Sequence, residues 1–343
     1  MPEPPADPGA PPGGAQLGFE MESAPHLITA ANPEMNVFAA VLPGQQATAA
    51  QKGRTSISKR LGPAFWISAG WMLFVIVLAI LAGVLPLPDP NNSLAGISGS
   101  SGCLPSASPS LSHLLGCDEN GRDVLSRLIF GSRVSLVVGF ASIALALAVG
   151  GAAGVVAGYI RGAFDSVSGI VANVILAYPY LVLGLAIVTF WGHSEFDVTV
   201  VIAIVAVAPL FRIVRANTIA FSERDYVLAT RALGSTRKRV LQTLIIPDVI
   251  PAAITYGLVG VALAITGEGA LSFLGQSVPP TTTPTWGNMI AEGSTLISSI
   301  GSGAPVNIWE VLGPAVAMFS FILAINIMGD RLRAILDVRT GAL

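Results

Sequence analysis

Three sets of residues in this sequence have types and spacing that could do chemistry. Cys103 and Cys117 are the only two cysteines, close enough in the chain to form a disulfide or to sit as two buried thiols. Glu268 is a carboxylate near the end of a long apolar run, and an ionisable group there is costly and a functional position by default. Its small neighbours Gly267, Gly269 and Ala270 also suit tight helix packing, with the carboxylate hydrogen-bonded inside a bundle. The third set is a band of seven cations, Arg212, Arg215, Arg224, Arg231, Arg237, Lys238 and Arg239. Several familiar chemistries have no residues to perform them. His26, His113 and His193 are scattered, so no metal site is expected. No Ser/His/Asp or Cys/His set stands out. No GxxxxGK[ST] phosphate loop is present, so the chain has no ATP site of its own and is not read as an enzyme.

The elements that position these residues belong in a bilayer. The chain has 343 residues, 52 % hydrophobic and only 11 % charged, with a mean hydropathy of +0.71. An average soluble domain is roughly 25 % charged, so this one cannot clothe itself in polar surface. About 20 apolar residues in a helix cross the hydrocarbon core. Six segments qualify: Phe65–Leu85, Ser135–Ile160, Val167–Trp191, Val198–Ile213, Val249–Leu274 and Val311–Met328. Pro179, Pro209 and Pro251 bend their spans. The expected fold class is all-α, a polytopic membrane protein. Residues 1–60 read as a disordered extension rich in Pro, Gly and Ala. Residues 61–133 hold the first span and a loop, 134–330 a core with a polar insert at 222–248, and 331–343 a tail.

Cation placement predicts orientation. Lys52, Arg54, Lys59, Arg60, Arg161, the band after Arg212 and Arg331, Arg333 and Arg339 all fall on one side, with both termini cytoplasmic. Arg122, Arg127 and Arg133 disagree. They suggest an amphipathic helix in the outer interface, its arginines reaching toward head groups, or else a soluble capping helix. Cys103 and Cys117 then lie on the oxidising side, where a disulfide over so short a loop would contribute about 3 kcal/mol. Trp286 and Trp309 read as interface aromatics.

The insert Ser222–Asp248 reads as a helical hairpin. Asp225–Leu233 holds good helix formers, Gly234 permits the left-handed residue that ends a helix, and Ser235 or Thr236 caps a second one. Val240, Leu241, Leu244 and Ile245 give the second helix an apolar stripe, and Pro247 separates it from the fifth span. Two uses are open: docking in a groove of a cytosolic partner, or packing on its own bundle.

The segment DYVLATRALG…IIPDVIP resembles the coupling loop of ABC importer permeases, whose pattern runs Glu-Ala-Ala, three residues, then Gly. That pattern falls on Leu228, Ala229, Thr230 and Gly234. His113–Leu136, Gly267–Gly293 and Ile325–Arg339 are similar to the second, C-type permease of dipeptide, oligopeptide and nickel importers, in family order. Leu228 stands where the family often has Glu or Gln and Leu244 where it often has His, which makes the docking contacts more apolar. The resemblance implies the type I importer permease fold, with six transmembrane helices and a cytoplasmic coupling helix-turn-helix, in a bacterial cell membrane. It implies coupling contacts through Asp225, Tyr226, Leu228, Ala229, Thr230, Arg231, Gly234, Arg237 and Pro247. The implied partners are a second homologous permease subunit, two cytosolic ATPase subunits that hold ATP and magnesium, and an extracytoplasmic binding protein that delivers peptide. No nucleic acid is implied. From the residues themselves, Glu268 could face such a translocation path or be bonded inside the bundle, and Tyr178 and Tyr180 could line it with aromatic surface or form a packed kink at Pro179. Nickel and glutathione are the alternative substrates. An ion-coupled secondary transporter using Glu268 as a protonation site, or a membrane scaffold, are the alternatives of other classes.

Overall fold

The computed structural model describes residues 57–91, 103–299 and 306–340. The expectation of disorder over 1–60 lies outside these residues, apart from Ile57–Arg60, which open the first helix. Among the described residues the chain is helical, without a strand. The helices are α1 (Ile57–Leu81), α2 (Val124–Ile160), α3 (Ala163–Leu176), α4 (Tyr180–Trp191), α5 (Glu195–Ser222), α6 (Asp225–Ala232), α7 (Arg237–Phe273), α8 (Trp286–Ser299) and α9 (Trp309–Thr340). Five of them, α1, α2, α5, α7 and α9, are long and apolar enough to cross a membrane. The expected third span is instead two helices, α3 and α4, bent by 91°. The break falls at Tyr178-Pro179, where proline has no N–H to give and disfavours helix in the residue before it. Among the described residues the count is therefore five spans, or six if the bent pair is one.

Local chemistry sets several helix ends. Asp123 caps α2 by accepting from the Ser126 N–H at 2.7 Å. Ser194 and Asp197 form a capping box at the start of α5. The spans that α2 and α5 form lie close because Gly150, Gly154 and Gly158 face α5. A Cβ on Gly154 would sit 2.8 Å from the Phe211 carbonyl oxygen, and one on Gly158 2.8 Å from that of Arg215. Small residues every fourth position let two membrane helices approach backbone to backbone. At the end of the same seam, Asp165 of α3 takes two hydrogen bonds from the Arg215 guanidinium, so Arg215 is paired within the bundle.

The main core collects Val138, Val201, Ile265, Phe321 and Ile325 from α2, α5, α7 and α9. Trp286 joins it. It is 1 % exposed, stacks edge-on against Phe321 and donates its indole N–H to the Leu128 carbonyl. The expectation of an interface aromatic is corrected, because a buried partner for the N–H was available. Around this core large apolar side chains such as Ile67, Ile80, Val171 and Phe319 stay exposed, as a bilayer-facing surface requires.

Two further expectations change. The helix α9 does not end near Met328 but runs to Thr340. The segment around Arg122–Ile129 is not a separate amphipathic helix. It is the start of α2, and Arg122 and Arg127 are 4 % and 1 % exposed. They pair inside the protein, as described below, while Arg133 is exposed.

Candidate functional site: the helical hairpin and the adjoining cavity

The hairpin consists of α6 and the first turns of α7. Gly234 takes φ +88°, the left-handed conformation a glycine accepts without strain. Thr236 caps the next helix by accepting from the Arg239 N–H. Pro247 does not separate this helix from the span. A π turn over Leu241–Ile245 precedes it, with the Ile246 N–H reaching back to the Leu241 carbonyl. The wider turn accommodates a residue without an N–H and leaves one continuous helix, Arg237–Phe273.

One face of the hairpin is fixed to the bundle. Val227, Val240, Ile245 and Val249 are buried with Val214 and Phe221 of α5. Two tyrosines add polar ties. The Tyr226 hydroxyl donates to Asp248 Oδ2 at 2.5 Å, and the Tyr159 hydroxyl of α2 donates to the Arg237 carbonyl at 2.9 Å. The Arg231 guanidinium lies 5.1 Å over the Tyr159 ring. Burial and the Asp248 carboxylate push the Tyr226 hydroxyl up to about 12, so it stays a donor at any physiological pH.

The other face is open. Asp225, Leu228, Ala229, Arg237, Lys238 and Arg239 are exposed there, and Thr230 is half-buried with its hydroxyl turned back to the Tyr226 carbonyl; Arg231 is exposed too, but its guanidinium turns to Tyr159. Leu228 is 50 % and Leu233 88 % exposed. Two large apolar side chains among cations, on a helix braced from behind, form a surface a partner can cover. Of the two uses left open by the sequence, packing on the bundle is seen for one face, while the other face stays exposed.

Between α2, α3, α4, α5 and α7 lies an open cavity of about 260 Å³. Tyr178 and Tyr180, at the break between α3 and α4, line it together with Tyr256 and Gly267 of α7. The Arg333 guanidinium of α9 stacks 4.8 Å from the Tyr256 ring centre. Glu268 does not line this cavity. It is fully buried between α7 and the segment leading into α8. Its Oε1 accepts from Ser272 at 2.8 Å, Ser277 at 3.0 Å and Thr285 at 2.8 Å. Gly287 comes so close that a Cβ there would sit 2.9 Å from the other carboxylate oxygen. The path-facing placement of Glu268 is thus corrected. A carboxylate in an apolar span needs donors, and three hydroxyls of its own chain supply them.

At the end of the bundle opposite the hairpin, where α2 begins and α7 ends, an ion cluster closes the structure. Arg122 Nε donates to Asp118 at 2.6 Å and its Nη2 to Glu292 at 3.0 Å. Arg127 reaches the other Glu292 oxygen at 2.6 Å. Burial would lower the Arg122 guanidinium, but Asp118 and Glu292 outweigh it and hold it above its ordinary value. The disulfide Cys103–Cys117 stands beside this cluster. His113 comes within 4.8 Å of both sulfurs, a meeting the scattered histidines did not suggest. Because the sulfurs are bonded to each other, neither is a thiolate, and the His113 Nδ1 is engaged with Asp123 at 2.8 Å.

Residues 150–341 match the protein family described as the binding-protein-dependent transport system inner membrane component. The chain belongs to that family. A dipeptide transport system permease protein, DppC of Alkalihalophilus pseudofirmus, is 33 % identical over 267 residues, covering 76 % of this chain and 81 % of the relative. A glutathione transport system permease protein, GsiD of Pectobacterium atrosepticum, is 32 % identical over 229 residues, covering 67 % and 73 %. A solved structure of the MetNI methionine ABC transporter in inward-facing conformations overlays 61 % of this chain and 96 % of its own, with TM-score 0.49 and 17 % identity.

In this transport permease the hairpin, Tyr178, Tyr180 and Glu268 fall inside the family-matched region, whereas α1, the disulfide loop and Arg122 precede it. Sequence reasoning missed the residues that brace the hairpin, Tyr159 and Asp248. Tyr159 lies on another helix, 78 residues before Arg237, with no local signal. Asp248 was legible only as the residue after Pro247, one acidic group among cations.

Proposed function

We propose that this chain is the membrane-spanning permease subunit of an ATP-driven importer of dipeptides or short oligopeptides. It would form half of the translocation path with a second, homologous permease in a bacterial cell membrane. Both termini and the hairpin would lie in the cytoplasm, in keeping with the cations gathered at the hairpin end. The disulfide loop would face an extracytoplasmic binding protein. ATP and magnesium would be held by two ATPase subunits, since this sequence has no phosphate loop.

The observation that carries the reading is the hairpin: open on the face with Leu228 and Leu233, braced on the other by Val227, Tyr226 and Tyr159. An ATPase groove that receives the open face can push on α7 and α2 directly, because the braced face leaves little slack. Reversing a two-state equilibrium from 1:99 to 99:1 takes about 5.5 kcal/mol of differential binding. A helix pinned by a buried apolar cluster and two tyrosine hydroxyls can carry such a load without melting.

The peptide substrate is supported by relatives named for dipeptide and glutathione transport; glutathione, itself a short peptide, is the second reading. A proton-driven carrier working through Glu268 is disfavoured, because that carboxylate is sealed away from the cavity. The test is reconstitution in proteoliposomes with the ATPase subunits, second permease and binding protein that copurify. Uptake of labelled dipeptide that requires both ATP and the binding protein is expected. Uptake by this chain alone under a proton gradient, or partner binding with no flux, would overturn the proposal.

A further inference from the structure

Two glycines of the cavity between α4 and α7 are buried yet face empty space. Gly184 of α4 and Gly267 of α7 are both buried and both helical. A Cβ built on Gly184 would meet nothing within 4 Å, and one on Gly267 only the Tyr180 ring, at 4.0 Å. Buried glycines elsewhere divide: Gly151 of α2 also meets nothing within 4 Å but does not line the cavity, and others are tightly packed. At Gly150 and Gly154 a Cβ would lie within 2.8 Å of the α5 backbone, so helix packing demands them. No such demand exists at Gly184 and Gly267, and glycine is among the poorest helix formers. What the two share is the void in front of them.

Among the described residues, the lining of that void carries no charged side chain. Its polar side-chain groups are the hydroxyls of Tyr178, Tyr180 and Tyr256. With Glu268 sealed, no carboxylate meets a peptide's ammonium here. The volume of about 260 Å³ is below the roughly 300–1,000 Å³ of sites that hold a whole small molecule. It suits one large side chain.

We propose that this cavity seats an apolar or aromatic peptide side chain in transit, and that Gly184 and Gly267 set the largest side chain that passes. The inference rests on the importer reading and adds a specificity determinant to it. The three hydroxyls around an aromatic surface favour Phe, Tyr and Leu side chains over charged ones, which would lose water without finding a partner.

The experiment uses the full complex in proteoliposomes, comparing ATP-dependent uptake of Gly-Gly and Phe-Phe. In Gly184→Phe and Gly267→Leu, the Gly-Gly to Phe-Phe uptake ratio is expected to rise on the order of 10-fold, the scale on which filling an apolar pocket discriminates. Gly169→Phe is the control. Its Cβ also meets nothing, but it lies on α3 away from the cavity, and the ratio should not move. If Gly184→Phe does not fold, Gly184→Leu carries the same reading. An unchanged ratio overturns the proposal. So does an equal fall for both peptides in an assembled complex, which would assign the cavity to a lipid chain or to helix motion. Loss of the second permease from the purified complex would assign it to a subunit contact and overturn the proposal as well. Wild-type complex that takes up neither peptide sinks the importer reading itself, whereas normal wild-type uptake with unmoved ratios sinks only this inference.

Discussion

The Tyr226 hydroxyl and the Asp248 carboxylate meet at 2.5 Å across the base of the hairpin, joining α6 to the root of α7. Asp248 follows the π turn that keeps α7 continuous past Pro247, so a push on α6 reaches the span without crossing a flexible joint. Tyr226→Phe keeps the ring and removes the tie. Hydrogen bonds to charged groups contribute roughly 1.5–3 kcal/mol, and a half-buried one falls near the lower end. The expected outcome is a stability loss of about 1–2 kcal/mol and fewer peptides moved per ATP hydrolysed. Thermal unfolding and paired flux and hydrolysis measurements on the complex check both.

The same tie gives a pH signature. Tyr226 is raised from 10.0 to about 12, so the neutral hydroxyl is the form the fold favours. The stabilisation is fully present below pH 10 and is lost as pH rises through about 12. Purified wild-type protein should lose more thermal stability between those values than Tyr226→Phe. Parallel profiles would show that the hydroxyl does not titrate against Asp248.

Leu233, 88 % exposed at the tip of the hairpin, tests the docking face without touching the core. Leu233→Glu should leave bundle stability within about 0.5 kcal/mol and cut recovery of the ATPase subunits. Gly234→Val should do more, because a β-branched residue at φ +88° is strained by about 1–3 kcal/mol and turns the docking face away. Copurification from detergent is the measurement.

The α2–α5 seam makes a stability prediction of opposite character. Gly154→Leu drives a side chain into backbone atoms at 2.8 and 3.0 Å, where nothing flexible can give way. A loss of about 3 kcal/mol or more is expected, above the usual cost of overpacking a core whose side chains can shift. It should appear as a lower yield of folded monomer and a depressed unfolding temperature.

Reduction of Cys103–Cys117, which lie 14 residues apart, should cost about 3 kcal/mol if loop closure dominates. The mobility it restores would be local, next to the Arg122–Glu292 pair. Thermal unfolding with and without reductant, alongside peptide mapping of the bonded pair, measures it.

Much of this architecture is legible in the chain. Apolar runs of the right length mark the spans, Gly234 and the residue types around it mark a hairpin, and two cysteines in one loop allow a crosslink that the fold then makes. These are local facts, governed by hydropathy, backbone freedom and short-range spacing. Tertiary structure decided what each polar group was for. Arg127 looked like a head-group ligand until Glu292, 165 residues away, came to meet it. Glu268 looked like a path residue until Ser272, Ser277 and Thr285 closed around it. Trp286 looked interfacial until the Leu128 carbonyl offered its indole a partner inside. A charge or a donor in an apolar chain must be satisfied, but the partner that satisfies it is set by which helices pack together, and sequence distance carries no record of that.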